Sequence, residues 1–146
     1  MNTSLEGGCL CGKTRYRLAA QPASLGDCHC IDCRRASGAP YVTWGTVPRE
    51  ALKLTRGELR RVAHAERLRD SAACCGTPLF FRETAESALV DFTVASLDDP
   101  APFAPKKAIW TEDRLPWVAL DPHRPVYPQG SGREWYLHPG EKSIVS

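Results

Sequence analysis

The chain has 146 residues, 42% of them apolar and 25% charged, with a formal net charge of +2. That length bounds it to one domain over residues 1–146, built round a single core. No run of about 18 apolar residues is present to cross a bilayer, and so weak a positive charge offers no polyanion-binding face, so neither a membrane nor a nucleic acid is an expected partner.

In chain order, the opening "MNTSLEGGCLCG" has neither the basic segment nor the apolar stretch of a secretory signal, so a cytoplasmic location is expected. Cys9 and Cys11 follow a glycine pair, and Gly12 comes next. Residues 13–19 alternate, with Thr14, Tyr16 and Leu18 on one face and Lys13, Arg15 and Arg17 on the other, which predicts a half-buried strand. Residues 26–40, "GDCHCIDCRRASGAP", hold Cys28, Cys30 and Cys33. The segment after Cys33 is expected to form no more than a helical turn, stopped by Gly38 and Pro40, which places Cys33 at a junction between loop and turn.

Further strands are expected at 41–47, 51–55, 59–65, 78–83 and 88–97, bounded by Gly, Pro, Asp or Ser. With no convincing helical stripe anywhere, the fold class is mostly β, with six or more strands. "AACCGTP" adds Cys74 and Cys75. The proline-rich tract 98–105 is read as an ordered connector, because apolar and aromatic residues resume at once in "AIWTEDRLPWVAL".

Seven cysteines leave one unpaired in any complete disulfide framework, and a reducing compartment disfavours such a framework. A redox use of the Cys30-x-x-Cys33 pair lacks the βαβ context it needs, and burial as small hydrophobes is the plain alternative. Metal ligation suits the spacing better. C-x-C and C-x-x-C allow one tight loop to supply several thiolates, and flanking glycines permit the backbone angles such a loop needs. Three clusters suggest two sites. A triplet leaves a fourth coordination position open for water, thiol or substrate, whereas four ligands make a closed structural site. His29 could complete the triplet, although adjacent residues rarely point at one metal. Arg34 and Arg35 follow directly, where they can compensate thiolate charge or attract an anionic ligand.

Four stretches, "GGCLCGKTRY", "CHCIDCRRASGAPYVTW", "CGTPLFF" and "IWTEDRLPWVALD", resemble in content and order the family of glutathione-dependent formaldehyde-activating enzymes, which also includes centromere protein V. The resemblance spans about residues 7–127, with the rest a C-terminal extension. It implies a single zinc-binding domain of the β-tent fold, one or two zinc ions, catalytic zinc on Cys28, Cys30 and Cys33, and structural zinc on Cys9, Cys11 and Cys75. The family's last motif reads C-x-x-C-G, and its first cysteine falls on Ala72. Cys74 is the favoured replacement, the alternatives being water, a side chain such as Asp70 or Ser71, or a structural zinc that is weak or absent. A second departure is Ala108, where relatives often carry a histidine. Trp110 and Trp117 are expected in the core or a pocket wall.

The activity implied is that of a carbon–sulfur lyase acting on a glutathione adduct such as S-hydroxymethylglutathione, a small-molecule thiol being the partner. Arg34 and Arg35 would bind substrate, with Ser37, Thr43 and Tyr41 as further pocket residues. A zinc-stabilised binding module without turnover, or a sensor of thiol adducts, is the alternative. His64, His123 and His138 are scattered and are read as surface or core residues.

Overall fold

The computed structural model describes residues 4–131, and His138 lies outside them. These residues form two compact units, one of residues 4–24 with 45–104 and the other of residues 25–44 with 105–131. The chain passes from the first unit to the second at the end of the proline-rich tract. The architecture is mostly β, and no helix among the described residues is long and apolar enough to cross a membrane.

In the first unit, β1 (Leu5–Gly8), β2 (Arg15–Leu18) and β5 (Leu52–Arg56) make an antiparallel sheet in the order β1-β2-β5. The alternation of the second strand holds, since Thr14, Tyr16 and Leu18 are fully buried. Tyr16 packs edge-on against Phe80 with ring centroids 4.9 Å apart, and its hydroxyl meets Ser96 Oγ at 2.6 Å. Gly7 faces it across the sheet. A Cβ at Gly7 would lie 2.5 Å from the Tyr16 ring and 2.6 Å from the Ser96 carbonyl, so the close approach requires glycine.

Four more antiparallel strands run in the order β9-β8-β7-β6, namely β6 (Leu59–His64), β7 (Arg67–Ala72), β8 (Pro78–Arg82) and β9 (Leu89–Thr93). The half of β4 (Val42–Pro48) from Gly45 onward lies beside β9, where Thr46 donates to Asp91 at 2.6 Å. Leu18, Val47, Leu79, Phe80, Val90 and Phe92 supply the core. The expected strand over 88–97 ends early, because the chain turns into a 3₁₀ helix at Val94–Ser96.

Apolar alternation does not reveal β7, whose sequence is RLRDSA. Its polar side chains are satisfied across the sheet instead. Asp70 sits opposite Arg61 and accepts from its Nε at 2.7 Å and Nη2 at 2.8 Å. Arg69 lies over the ring of its partner Phe81, and Arg67 pairs with Glu83 at 2.9 Å. β1 and the strands at Ser24–Cys28 and Ala108–Ile109 also escape the alternation rule, being short or glycine-containing.

In the second unit, β3 (Ser24–Cys28) pairs in parallel with β10 (Ala108–Ile109), and the first half of β4 lies on its other side. Ala108 also bridges to Val126. The helix α1 (Ile31–Ser37) begins before Cys33 rather than after it, so Cys33 lies within a helix and not at a junction between loop and turn. The physical reason is the cap. Cys30 takes the N-cap position and its sulfur accepts the Cys33 amide, while Gly38 ends the helix at φ 70°, a left-handed conformation suited to glycine. Trp117 is 71% exposed, so the expectation that it lies in a core or pocket wall is corrected. Trp110, half-buried, stands at φ 55° directly after β10.

Candidate metal centres

Each unit gathers one group of sulfurs. In the first, the Sγ atoms of Cys9, Cys11, Cys74 and Cys75 all lie within 4.8 Å of one another. The separations are 3.7 Å for Cys9 and Cys11, 3.6 Å for Cys9 and Cys74, 3.3 Å for Cys11 and Cys74, and 3.9 Å for Cys74 and Cys75. A tetrahedron of thiolates with metal–sulfur bonds of about 2.3 Å has sulfur–sulfur edges of about 3.8 Å. The donor set therefore fits a metal ion in number, chemistry and size.

Two turns deliver these sulfurs. Gly12 donates to the Cys9 carbonyl at 3.1 Å and Gly76 to the Ala72 carbonyl at 2.8 Å, each glycine with positive φ. Ala72 itself is buried at the end of β7 and contributes only backbone, while Cys74, in the following turn, brings its sulfur to the group. Asp70 is engaged by Arg61 and does not join the cluster, which corrects the idea of that carboxylate as a ligand.

Two threonines tune the cluster. The Thr14 amide donates to Cys9 Sγ at 3.3 Å, and its hydroxyl meets Cys74 Sγ at 3.2 Å. Thr77 Oγ1 accepts the Leu10 amide at 3.0 Å and meets Cys75 Sγ at 3.2 Å. Sequence reasoning passed over both, although each follows a Cys-Gly pair, in Cys11-Gly12-Lys13-Thr14 and Cys75-Gly76-Thr77, and that recurrence was the available signal. The Thr77 hydroxyl first, then the amides of Cys11 and Thr77, pull the Cys75 thiol down to about 5. Cys11 moves the opposite way, to about 11. The Lys13 amide lowers it, but Cys74, burial and the other sulfurs outweigh that donor. Crowded thiolates cannot all ionise without a cation between them.

The second group is Cys28, Cys30 and Cys33, whose sulfurs also lie within 4.8 Å of one another, and no further Cys, His, Asp or Glu side chain among the described residues joins them. Cys28 ends β3, Cys30 caps α1 and Cys33 sits in its first turn, so one strand-to-helix corner supplies all three. Cys30 Sγ accepts the Cys33 amide at 3.2 Å, and Cys33 Sγ accepts the Trp44 indole N–H at 3.4 Å. Trp44 is a further residue that sequence reasoning did not select, because nothing in the spacing links position 44 to 33. The Cys30 and Cys33 sulfurs, together with burial, push the Cys28 thiol well up. The bond to Cys28 lowers Cys33, yet Cys30 and burial overcome it and leave Cys33 at about 11. Two buried sulfurs and a half-buried third, crowded together, oppose one another's ionisation, and a cation held among them would relieve that repulsion.

His29 does not belong to the triplet. Its ring is buried 4.9 Å from that of Tyr41, and burial, followed by the charge of Arg114, lowers its pKa, favouring the neutral form. With Asp27, Tyr41 and Ala108 it lines a cavity of about 40 Å³. The Thr43 hydroxyl is committed to Asp27 at 2.5 Å, and Ser37 Oγ donates to the Cys33 carbonyl at 2.7 Å. Both hydroxyls thus have a partner within this unit. Arg35 is exposed. Arg34 is half-buried, and its Nε, shielded from solvent, has no hydrogen-bond partner among the described residues.

A sequence model described as "Glutathione-dependent formaldehyde-activating enzyme" matches residues 4–113. The chain belongs to that family. Its description ties the family to glutathione and formaldehyde, in keeping with the two thiol-rich sites. Among curated proteins, no sequence matches. Among solved structures, the chain is similar to a Rhodobacter sphaeroides protein determined by crystallography. The TM-score is 0.53 at 21% identity, over 67% of this chain and 94% of that one, and this likeness supports the fold alone.

Proposed function

We propose that the chain is a zinc enzyme of the carbon–sulfur lyase type, acting on a glutathione adduct such as S-hydroxymethylglutathione. The observation that carries this reading is the triplet itself, three sulfurs within 4.8 Å with no fourth Cys, His, Asp or Glu among the described residues. Zinc suits sulfur donors in tetrahedral sites, and three protein ligands leave one position open. Cys28, Cys30 and Cys33 would hold the catalytic ion, and Cys9, Cys11, Cys74 and Cys75 a closed structural one. The mostly β fold is read as the family's β-tent, in one domain, and the protein as cytoplasmic.

A zinc ion at the triplet supplies a Lewis acid that polarises a carbonyl oxygen, or a partner for a substrate sulfur that favours its thiolate. The protein's own groups do the rest. The reaction joins a thiol sulfur to an aldehyde carbon, with the thiol proton lost and the former carbonyl oxygen gaining one, and its reverse breaks the same bond. Holding both reactants together is a large part of what catalysis requires here. Arg34, directly after Cys33, would pair with a glutathione carboxylate, a role that its unpartnered Nε supports. Trp44 and the Cys33 amide each fix a ligand sulfur by donating to it, which preorganises the corner before substrate arrives.

The test is turnover. Purified chain with measured zinc content should speed exchange between free formaldehyde and S-hydroxymethylglutathione, followed by NMR, and Cys30→Ser should abolish the acceleration together with about one zinc per chain. Glutathione binding without acceleration would replace the enzyme with a sensor of thiol adducts. A Cys30→Ser chain that kept both zinc and rate would sink the assignment of the triplet.

A further inference from the structure

The four-cysteine cluster differs from the triplet in one respect that a purely structural metal leaves unused. Cys11, Cys74 and Cys75 are exposed, whereas Cys28 and Cys33 are buried. Oxidants select sulfurs that are both accessible and deprotonated, and a bound metal keeps its ligands deprotonated. Cys11, Cys74 and Cys75 are accessible, and a metal held by the cluster would keep them deprotonated.

Cys74 is its hub, at 3.3 Å from Cys11, 3.6 Å from Cys9 and 3.9 Å from Cys75. The shortest of these contacts joins two exposed residues on separate turns. Shortening it to a disulfide bond of about 2.05 Å asks for a little over 1 Å of sulfur movement, within the reach of side-chain rotation. Cys9 is buried, and the adjacent pair Cys74 and Cys75 starts farther apart and would close a small strained ring. The sequence departure matters here. Position 72, at 1% exposure, would shield a sulfur, whereas position 74 presents one to solvent.

We propose that Cys11 and Cys74 form a redox-sensitive metal-release site, in which a peroxide links the two sulfurs and expels the ion. The Cys74 thiolate attacks the O–O bond of hydrogen peroxide, giving a sulfenic acid and a hydroxide that takes a proton to become water. The Cys11 thiolate then attacks the sulfenic sulfur, the S–S bond forms, and the departing hydroxide is protonated to a second water. Two electrons pass from the sulfurs to the peroxide. Cys9 and Cys75 alone are a poor hold for a metal, so the ion leaves. A dithiol reductant returns both electrons and restores the site.

This inference does not rest on turnover at the triplet, and its readouts are independent of activity. Zinc-loaded chain is treated with hydrogen peroxide in the presence of a chromogenic chelator, and the disulfides are then mapped by mass spectrometry. Release of about one metal equivalent, a Cys11–Cys74 link, and recovery of metal binding after dithiothreitol and added zinc are expected. Retained metal, a Cys74–Cys75 link, earlier oxidation of the triplet, or a cluster that takes up no zinc before treatment would each overturn it. The unaltered chain is used throughout, so no variant has to fold.

Discussion

The indole N–H of Trp44 donates to Cys33 Sγ at 3.4 Å, joining a strand to a sulfur in the first turn of a helix. A donor of this kind drains charge from a thiolate and fixes its direction. Trp44→Phe keeps an aromatic ring, though a smaller one, and removes the donor. Metal affinity at the triplet should fall by about tenfold. Competition with a chelator measures that loss, and the sulfur-to-metal charge-transfer band of the cobalt-substituted protein should shift as well. An unchanged band and affinity would make Trp44 a packing residue only.

Arg34 carries a prediction that separates binding from chemistry. Arg34→Gln should raise the KM for the glutathione adduct by about tenfold and leave kcat within about twofold, since a carboxylate anchor binds ground and transition states alike. An adduct with esterified carboxylates should respond little to the same substitution. Equal sensitivity of both substrates would remove Arg34 from substrate recognition.

Cys74→Ala tests the closed site. Zinc content should fall by about one equivalent per chain, and stability should drop by more than about 2 kcal/mol, because a metal bound only by the folded state stabilises it. Denaturant unfolding with and without a chelator reads the effect, and the variant should no longer respond to the chelator at this site. Full zinc retention would mean that Cys9, Cys11 and Cys75 suffice.

Tyr16 sets an alkaline limit. Burial raises its phenol from 10.0 to about 12, despite the hydrogen bond to Ser96. The folded state thus favours the neutral form. Its contribution, about 2–3 kcal/mol for a shift of this size, is fully present below pH 10 and is lost as pH rises towards 12. Tyr16→Phe should flatten that loss, at a cost of about 1 kcal/mol from the hydroxyl's bond to Ser96. Unfolding midpoints measured across this range would check both statements.

The mostly β class and the three cysteine clusters were legible in the sequence because both are local. Alternation such as Thr14, Tyr16 and Leu18 buries one face of a strand whatever lies beyond it, and C-x-C or C-x-x-C spacing brings sulfurs together within a single turn. Long-range placement was not local. β7 carries four polar side chains in six residues, and Arg61, Phe81 and Glu83 satisfy three of them from neighbouring strands and the residue after β8. The helix over Ile31–Ser37 depends on a cysteine acting as its cap, a role that thiols seldom fill.

Sequence by itself determined which sulfurs this protein has and how they are spaced, and with them its family. Only the tertiary structure decided that Cys74 brings its sulfur to those of Cys9, Cys11 and Cys75, that Trp44 donates to Cys33, and that the Thr43 and Ser37 hydroxyls bond to Asp27 and the Cys33 carbonyl. The reason is geometric. Spacing constrains sulfurs within one turn, whereas contacts across tens of residues depend on the register and turns that bring separate segments together.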